Sequence, residues 1–407
     1  MDEDAERRLA HDFSLASPPP GFADDPVPVW HALRRHRPVH WLDERSVYLT
    51  RHDDVLAVYR SNDVSSDKRK EFAPKFGLGT PLYEHHTTSQ VFSDPPLHTR
   101  LRRILMGALN QRAIARMEAG VHELVDALLD ALADAPAPDL IEHFAARIPV
   151  EVIGNLLDIP RGDRGPLRGW SLATLSALEP SPSAERVAQG QRAVTEFLDY
   201  LRGLVAHRAA HPGDPEVDVL TRLMQGDASG RLDEKELLHN CIFLLNAGHE
   251  TTTNLIGNGA WLLMTCRDQL ARLLADPALI NPGVEELLRL ESPIQINNRL
   301  ATAPLPLPSG VTLPADTYVH LAIGAANRDP AVFGDPDRMD IARKPNNHLA
   351  FGQGAHACSG MNVARMEARI ALLGLFRRYP ALDLAAEPVR DRRLRFRGFQ
   401  QLPVRLG

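Results

Sequence analysis

The residues with the clearest capacity for chemistry lie in a glycine-rich stretch, AFGQGAHACSG, at positions 350–360. It carries one cysteine, Cys358, and one histidine, His356, among three glycines and no formally charged side chain. The sequence predicts that the last helix begins at or near Cys358, and a helix N-terminus favours an anion. We therefore expect a lowered pKa for Cys358 and a thiolate, which suits a nucleophile, a redox sensor or a metal ligand. A structural cysteine that caps a helix is the alternative.

A second candidate lies in the most apolar helix predicted for the chain, where AGHETT occupies positions 247–252. Gly248 weakens a helix interior by about 1 kcal/mol relative to alanine, and a carboxylate such as Glu250 is costly to bury there. Thr251 can hydrogen-bond to a carbonyl group one turn earlier and bend the helix. The gap, the acid and the alcohol together indicate a place where small molecules and protons meet. A polar kink without chemistry is the alternative.

The elements that must position these residues are mostly helices, because apolar side chains recur at the helical period after residue 97. Residues 66–97 are predicted to be irregular, and the segment 292–349 is rich in proline and glycine with short strands. The remaining predicted elements are helices at 121–132, 150–157, 184–209 and 232–274, a hairpin of 39–42 with 47–50, and two C-terminal strands that turn at Gly398. The pattern favours one large, mainly helical domain over residues 1–407, with a smaller β-rich part.

Composition excludes several classes of protein. The 407 residues carry a net charge of -6, so the whole molecule is not a polyanion binder. Three scattered cysteines form neither a disulfide framework nor a zinc ribbon. The acidic N-terminus does not resemble a signal peptide, and no run of about 18 apolar residues predicts a membrane span. We expect a cytoplasmic protein that binds no membrane.

Five segments of the chain resemble the motifs of the cytochromes P450 of the soluble bacterial type, in the order of that family and from about residue 94 to the C-terminus. They are the haem-binding loop FGQGAHACSG, the oxygen-activation motif AGHETT, the Glu-x-x-Arg of EELLR, the C-helix signature DPPLHTRLRR and the meander AANRDPAVFGDPDRMD. The resemblance implies the mainly α cytochrome P450 fold, a large helical part with a smaller β-rich part.

The resemblance also implies a cofactor, haem b, with Cys358 as the axial thiolate ligand of its iron. Phe351 would pack beside the haem, and Ala247 with Gly248 would leave room above it. The other residues implied at the cofactor are those of the loop and the partners of the propionates: Gly352, Gly360, His356, His98, Arg102 and Arg299. Ser359, which follows the cysteine where an apolar residue is usual, could tune the thiolate by a hydrogen bond.

The same resemblance assigns roles to polar residues around the haem. Glu250 and Thr251 would be the acid and alcohol that deliver protons to the oxygen site. A buried structural ion network would join Glu286, Arg289 and Arg338. The substrate pocket would be formed by 66–92, the helices around 165–190, 294–296 and the turn at 399–400, with Asn246, Ile294 and Phe399 as candidates.

A hydrophobic small molecule fits such a pocket. Lys68, Arg69, Lys70 and Lys75 could neutralise a carboxylate on it, although solvated loop charges are the ordinary interpretation. His85 and His86 could contact the substrate, although adjacent histidines in a loop are more often surface residues, and both interpretations stay open.

A basic stretch at 98–116 holds five arginines and no acid in an otherwise acidic chain. We interpret the face near Arg100, Arg103 and Arg112 as the docking surface for an acidic ferredoxin that donates electrons. Nucleic acid is a weaker alternative because no interleaved aromatic residues accompany the arginines. A solvated helix face remains the third interpretation.

The resemblance therefore implies a monooxygenase that activates dioxygen with two electrons from a redox partner and hydroxylates or O-demethylates a hydrophobic small molecule. Three alternatives stay open: a peroxide-driven relative, a haem protein that senses ligands without catalysis, and a cysteine hydrolase that uses Cys358 with His356. Peroxide-driven relatives typically lack the acid–alcohol pair. The hydrolase lacks an orienting acid near its histidine.

Overall fold

Helices carry most of the chain in the computed structural model, which describes residues 2–109, 111–215, 218–227 and 230–407. They are α1 (Glu3–His11), α2 (Val27–His36), α3 (His52–Arg60), α4 (Arg69–Phe76), α5 (Pro81–Thr88), α6 (Leu97–Ala108), α7 (Gln111–Ala133), α8 (Arg147–Leu156), α9 (Leu167–Ser176), α10 (Ala184–Ala210), α11 (Val219–Gln225), α12 (Glu234–Thr265), α13 (Arg267–Ala275), α14 (Ile280–Leu290), α15 (Ile323–Ala326) and α16 (Met361–Arg378). The predicted mainly α fold is confirmed.

The strands form a smaller part of the fold. They are β1 (Val39–Asp43), β2 (Ser46–Leu49), β3 (Val64–Ser65), β4 (Ile296–Ala301), β5 (Leu305–Pro306), β6 (Thr312–Leu313), β7 (Tyr318–Ala322), β8 (Asp383–Leu384), β9 (Val389–Arg390), β10 (Phe399–Gln401) and β11 (Val404–Arg405). The largest sheet has the order β1-β2-β7-β4-β3, in which only β2 and β7 run parallel. The predicted hairpin is present as the antiparallel pair of β1 and β2.

Helix α12 forms the centre of the helical part and packs against α5, α8, α9, α10, α14 and α16. A capping box starts it: the Asp233 carboxylate accepts from the backbone N–H of Glu236, whose side chain accepts from that of Asp233. The prediction of one helix through residue 274 is wrong, because Cys266 leaves the helical conformation and α13 follows as a separate helix. Apolar side chains continue at the helical period from α12 into α13, so the sequence pattern does not reveal where the first helix ends.

The irregular segment predicted at 66–97 is a second correction, because it contains α4 and α5. Pro81 occupies the first turn of α5, where its missing N–H costs no helical hydrogen bond. Gly77 and Gly79 adopt positive φ angles of 88° and 72° and separate the two helices. The prolines and glycines thus mark helix ends here, not an absence of helix.

The two predicted C-terminal strands do not pair across Gly398. Strand β10 instead pairs antiparallel with β9, and β11 with β8. Gly398 lies against α12, where an added Cβ would stand 2.0 Å from Asn254 Oδ1. The glycine therefore allows a close approach to the central helix. Among the described residues, no helix is both long and apolar enough to span a membrane.

Candidate active site

The Cys358 loop is shaped by two glycines and one backbone hydrogen bond. The N–H of Cys358 donates to the carbonyl of Phe351 over 2.8 Å, which closes the loop. Gly352 and Gly354 have φ angles of +63° and +71°, a region that favours glycine. At Gly354 a Cβ would also lie 2.2 Å from the carbonyl oxygen of Tyr59. The backbone conformation of the loop therefore requires glycine at these two positions.

The prediction that the last helix begins at or near Cys358 agrees with the structure to within one turn. Helix α16 begins at Met361 with Gly360 as its N-cap, so the cysteine precedes the helix. Burial raises the pKa of the Cys358 thiol, while the N–H of Gly360 and the positive charges of Arg102 and Arg365 lower it by less. The protein alone therefore does not stabilise a thiolate here. A metal cation bound at the sulfur would do so, which fits the predicted role of a metal ligand.

A cluster of basic side chains lies beside this loop. The rings of His98 and His356 stand 3.9 Å apart, and Arg102 Nη1 donates to Ser359 Oγ over 3.1 Å. Arg299 is buried and donates only to amide and carbonyl oxygens, at 3.3 Å to Asn297 Oδ1 and 2.8 Å to a backbone oxygen. Burial, followed by the charges of Arg299, His98 and Arg102, lowers the pKa of His356 to about 3.

This cluster lacks a carboxylate to balance it. In the described part of the chain no Asp or Glu oxygen lies within 4.0 Å of Arg102 or Arg299, although other arginines of the core are paired. Nδ1 of His356 is buried without a hydrogen-bond partner. Two carboxylates of a bound molecule would satisfy these groups, because guanidinium groups bind carboxylates with matched geometry. The propionates of haem have this chemistry, so the residues present fit the cofactor.

The face of α12 that carries the acid and the alcohol is partly open. Ala247 is exposed and Thr251 half-buried in a helix whose side chains are otherwise mostly buried. Thr251 Oγ1 donates to the carbonyl of Ala247 over 2.7 Å. The prediction that Gly248 leaves a gap is wrong, because a Cβ there would meet Ile153 Cδ1 at 2.7 Å. Gly248 serves the contact with α8, and Ala247 borders the open space.

Glu250 is held by a residue that the sequence did not single out. Its Oε1 accepts from Nη2 of Arg393, while its Oε2 is buried without a partner. Arg393 also binds Asp391, with 2.6 Å between Nε and Oδ2. Burial raises the pKa of Asp391 to about 6. The only sequence signal for this arrangement was the density of arginines in RDRRLRFR.

The predicted structural network needs one correction. The Glu286 carboxylate pairs with Arg289 over 2.7 Å, and both side chains are fully buried. The second arginine that contacts Glu286 is Arg343, whose Nε lies 3.1 Å from Glu286 Oε2. Arg338 is exposed and contributes only its backbone carbonyl, to which both other arginines donate. The irregular chain between 335 and 343 brings the later arginine inward, a turn that spacing does not reveal.

A further ion pair supports the Cys358 loop and was also missed. Arg365 donates to both carboxylate oxygens of Glu285, over 2.7 and 2.8 Å, and its guanidinium stands 4.6 Å from the ring centroid of Phe351. Burial opposes ionisation of Glu285, but hydrogen bonds from His348 and Arg365 lower its pKa to about 2. This pair fixes the start of α16 to α14 beneath the loop.

The candidate pocket residues lie in different surroundings. Asn246 Nδ2 and His85 Nε2 are 3.3 Å apart, and Ile294 forms a bridge with Phe396. Phe399 is buried between the ring of Trp261 and the guanidinium of Arg390, with centroid distances of 5.7 and 3.9 Å.

Two adjacent histidines, for which the sequence left a surface position and a substrate contact open, are buried. His85 and His86 are each 2% exposed. Burial lowers the pKa of His86 to about 3, so it is neutral. Helix α5 turns both rings inward, which the prediction of an irregular segment could not foresee.

The basic face is less positive than the sequence suggests. Arg100 forms two hydrogen bonds with Glu236, and Arg103 Nε lies 3.3 Å from Asp227. Arg112 lies exposed on α7. Arg100 and Arg103 are therefore paired with carboxylates.

Comparison with known proteins identifies the class. A profile described as "Cytochrome P450" matches residues 274–399. The chain is 37% identical to 6-deoxyerythronolide B hydroxylase of Saccharopolyspora erythraea, over 91% of this chain and 92% of that protein. It superposes with a TM-score of 0.88 on P450BioI in complex with hexadec-9Z-enoic acid ligated acyl carrier protein, at 32% identity, covering 95% of this chain and 100% of that one. Myxobacterial CYP267B1 in complex with myristic acid gives 0.86 at 33% identity, covering 95% and 98%.

Fold, loop and relatives agree on one class of enzyme, the haem-thiolate oxidoreductases. The chain belongs to the cytochrome P450 family and is similar to its bacterial monooxygenases.

Proposed function

We propose that this P450 binds haem b through Cys358 and uses dioxygen and two electrons to hydroxylate or O-demethylate a hydrophobic small molecule. The observation that carries the proposal is the uncompensated cluster of Arg102, Arg299, His98 and His356 beside the Cys358 loop. When bound, the haem supplies the redox chemistry that activates dioxygen. The chain supplies the thiolate, the partners for the propionates and the proton path.

The proton path in this proposal uses Glu250 and Thr251. The free Oε2 of Glu250 can accept and release a proton without breaking the bond from Arg393 to Oε1. The Thr251 hydroxyl borders the open face and gives up its own proton only if the bond to the Ala247 carbonyl is exchanged. The pair supports oxygen-driven turnover over a peroxide-driven reaction.

The proposed electron donor is a ferredoxin that docks near Arg100, Arg103 and Arg112. Carboxylates partly offset the positive charges of Arg100 and Arg103, but the Arg103 side chain is still more than half exposed. We therefore expect a docking surface of modest strength whose affinity falls with ionic strength.

The substrate is proposed to be hydrophobic because two of the three candidate pocket residues, Ile294 and Phe399, are apolar. The similar proteins named above act on or bind 6-deoxyerythronolide B, a carrier-linked hexadecenoic acid and myristic acid. The hexadecenoic and myristic acids share a long apolar chain, and we propose a substrate with an apolar body for this chain as well.

The test compares Thr251→Ala with Thr252→Ala, a neighbouring threonine that has no role in the proposal. Electrons are supplied by a ferredoxin, its reductase and NADPH. We expect Thr251→Ala to release severalfold more hydrogen peroxide per NADPH consumed than either the wild type or Thr252→Ala. Equal peroxide release in all three proteins, with turnover only when peroxide is added, would support the peroxide-driven alternative instead.

A further inference from the structure

Two cations near the candidate pocket have no carboxylate partner. Lys75 Nζ donates to the backbone carbonyl of Glu179 over 2.7 Å. Arg395 Nη1 lies 3.1 Å from Asn298 Oδ1 and 3.5 Å from the carbonyl of Ile296, and its Nε is buried without a partner. Within the described part of the chain, neither side chain has an Asp or Glu oxygen within 4.0 Å, unlike the many paired arginines of this protein.

The two cations are also close enough to repel each other. Burial, and after it the charge of Arg395, lowers the pKa of Lys75 to about 8. Placing like charges together in a partly buried site is unfavourable unless an anion balances them. Two carboxylates offset this repulsion only in part, because both are engaged elsewhere: Glu71 accepts a 2.6 Å hydrogen bond from Tyr318 and pairs with Lys68 over 3.3 Å, and the Glu179 carboxylate accepts from the backbone N–H groups of Leu394 and Arg395. Lys68 is 3% exposed, so the expectation of a solvated charge is wrong for this residue.

The surroundings of the two cations suit a molecule with an apolar body. His86 is buried beside them, and its Nε2 has no hydrogen-bond partner. The rings of Phe72, Phe76 and Phe92 surround His86 with centroid distances of 5.4 to 5.6 Å. A neutral imidazole can donate a third hydrogen bond to an anion, while the three rings provide apolar contacts.

The position in the fold connects this cluster to the pocket. Lys75 lies on α4, its carbonyl partner follows α9, and Arg395 bonds to strand β4. These are three of the segments that the family resemblance assigns to the substrate pocket. Arg395 is also four residues before Phe399.

We propose that Lys75 and Arg395 form an anchor for the carboxylate of a hydrophobic monocarboxylic acid, with His86 as an additional donor. This inference rests on the proposed function, because it names the substrate class of the same pocket. The anchor requires a free carboxylate, so it distinguishes a free acid from an acyl chain that is esterified at its carboxyl carbon.

The test measures binding of tetradecanoic acid and of its methyl ester to the haem-loaded protein by isothermal titration calorimetry. Two part-buried cations should favour the acid by about tenfold or more. We expect Lys75→Gln and Arg395→Gln each to remove most of this preference. Lys70→Gln is the matched control, because Lys70 lies exposed on the same helix and should leave the preference unchanged.

Equal binding of acid and ester to the wild type would overturn the proposal, as would a preference that survives in both Lys75→Gln and Arg395→Gln. If Arg395→Gln does not fold, Lys75→Gln decides alone, because its side chain is only partly buried. Calorimetry does not depend on turnover. An optical spectrum of the same preparation separates the two proposals. If the protein prefers the acid over the ester but shows no haem-thiolate spectrum, only the proposed function is refuted. If it shows a haem-thiolate spectrum but binds acid and ester equally, only the anchor is refuted.

Discussion

Replacing Arg393 with methionine should destabilise the protein far more than the same change at the adjacent Arg392. The side chains of Arg393 and Glu250 are only 6% and 3% exposed, and the same guanidinium also binds Asp391. Removing it leaves two carboxylates without their cation. Breaking a buried ion pair in this way costs about 3–5 kcal/mol, because the desolvation of the remaining charge is no longer offset.

The control variant is Arg392→Met. Arg392 is 75% exposed, and its one ion pair, with Asp24, is 3.4 Å long. We expect a change within about 0.5 kcal/mol, as for other surface substitutions. Free energies of unfolding would be measured for the haem-loaded proteins by urea denaturation followed with circular dichroism.

A double variant identifies the partner. Adding Glu250→Gln to Arg393→Met removes one stranded carboxylate, so the double variant should be more stable than the sum of the single changes predicts, by about 1–3 kcal/mol. If Arg393→Met loses no more stability than Arg392→Met, or if the two changes simply add, the ion pair does not hold Glu250 as described.

Three further outcomes follow from the structure. Arg343→Ala should lose about 1–3 kcal/mol of stability, because the buried Glu286 carboxylate keeps Arg289 but loses its second guanidinium partner, whereas Arg338→Ala should stay within about 0.5 kcal/mol; equal urea midpoints would contradict this assignment. Gly354→Ala should sharply reduce haem content because its Cβ would meet a backbone oxygen at 2.2 Å, whereas Gly203→Ala on α10, with no atom within 4 Å of the added Cβ, should retain haem. Glu285 has a pKa lowered from 4.5 to about 2, so its stabilisation is present above pH 4.5 and is lost as the pH falls through 2. The stability difference between wild type and Glu285→Gln should be about 2 kcal/mol at pH 7, after allowance for solvent screening, and should shrink at pH 4; a constant difference would exclude this origin.

Local patterns were sufficient to predict much of the fold. The apolar period located α7, α8, α10 and α12 to within a turn or two of their central residues, since each of these helices buries a broad face. The Cys358 loop and the Glu250–Thr251 pair were found because glycines and buried polar residues are unusual in those settings. Family resemblance then supplied the order of the motifs.

Features that depend on tertiary contacts were not predictable from the sequence. Arg343 and Arg338 are equally plausible partners for Glu286 until the path of the irregular chain between them is known. Arg393 meets Glu250 across 143 residues, and no local signal marks that contact. Burial raises the pKa of Cys358 by more than the N–H of Gly360 and the charges of Arg102 and Arg365 lower it, and that burial is a property of the folded chain.

The most direct test of the central claim is the optical spectrum of the purified, reduced protein after exposure to carbon monoxide. We predict the strongly red-shifted Soret band that a thiolate-ligated haem gives. We also predict that Cys358→His loses this band. Carbon monoxide binding without that shift would mean that Cys358 does not ligate the iron as a thiolate. A folded protein that binds no haem would contradict the central claim.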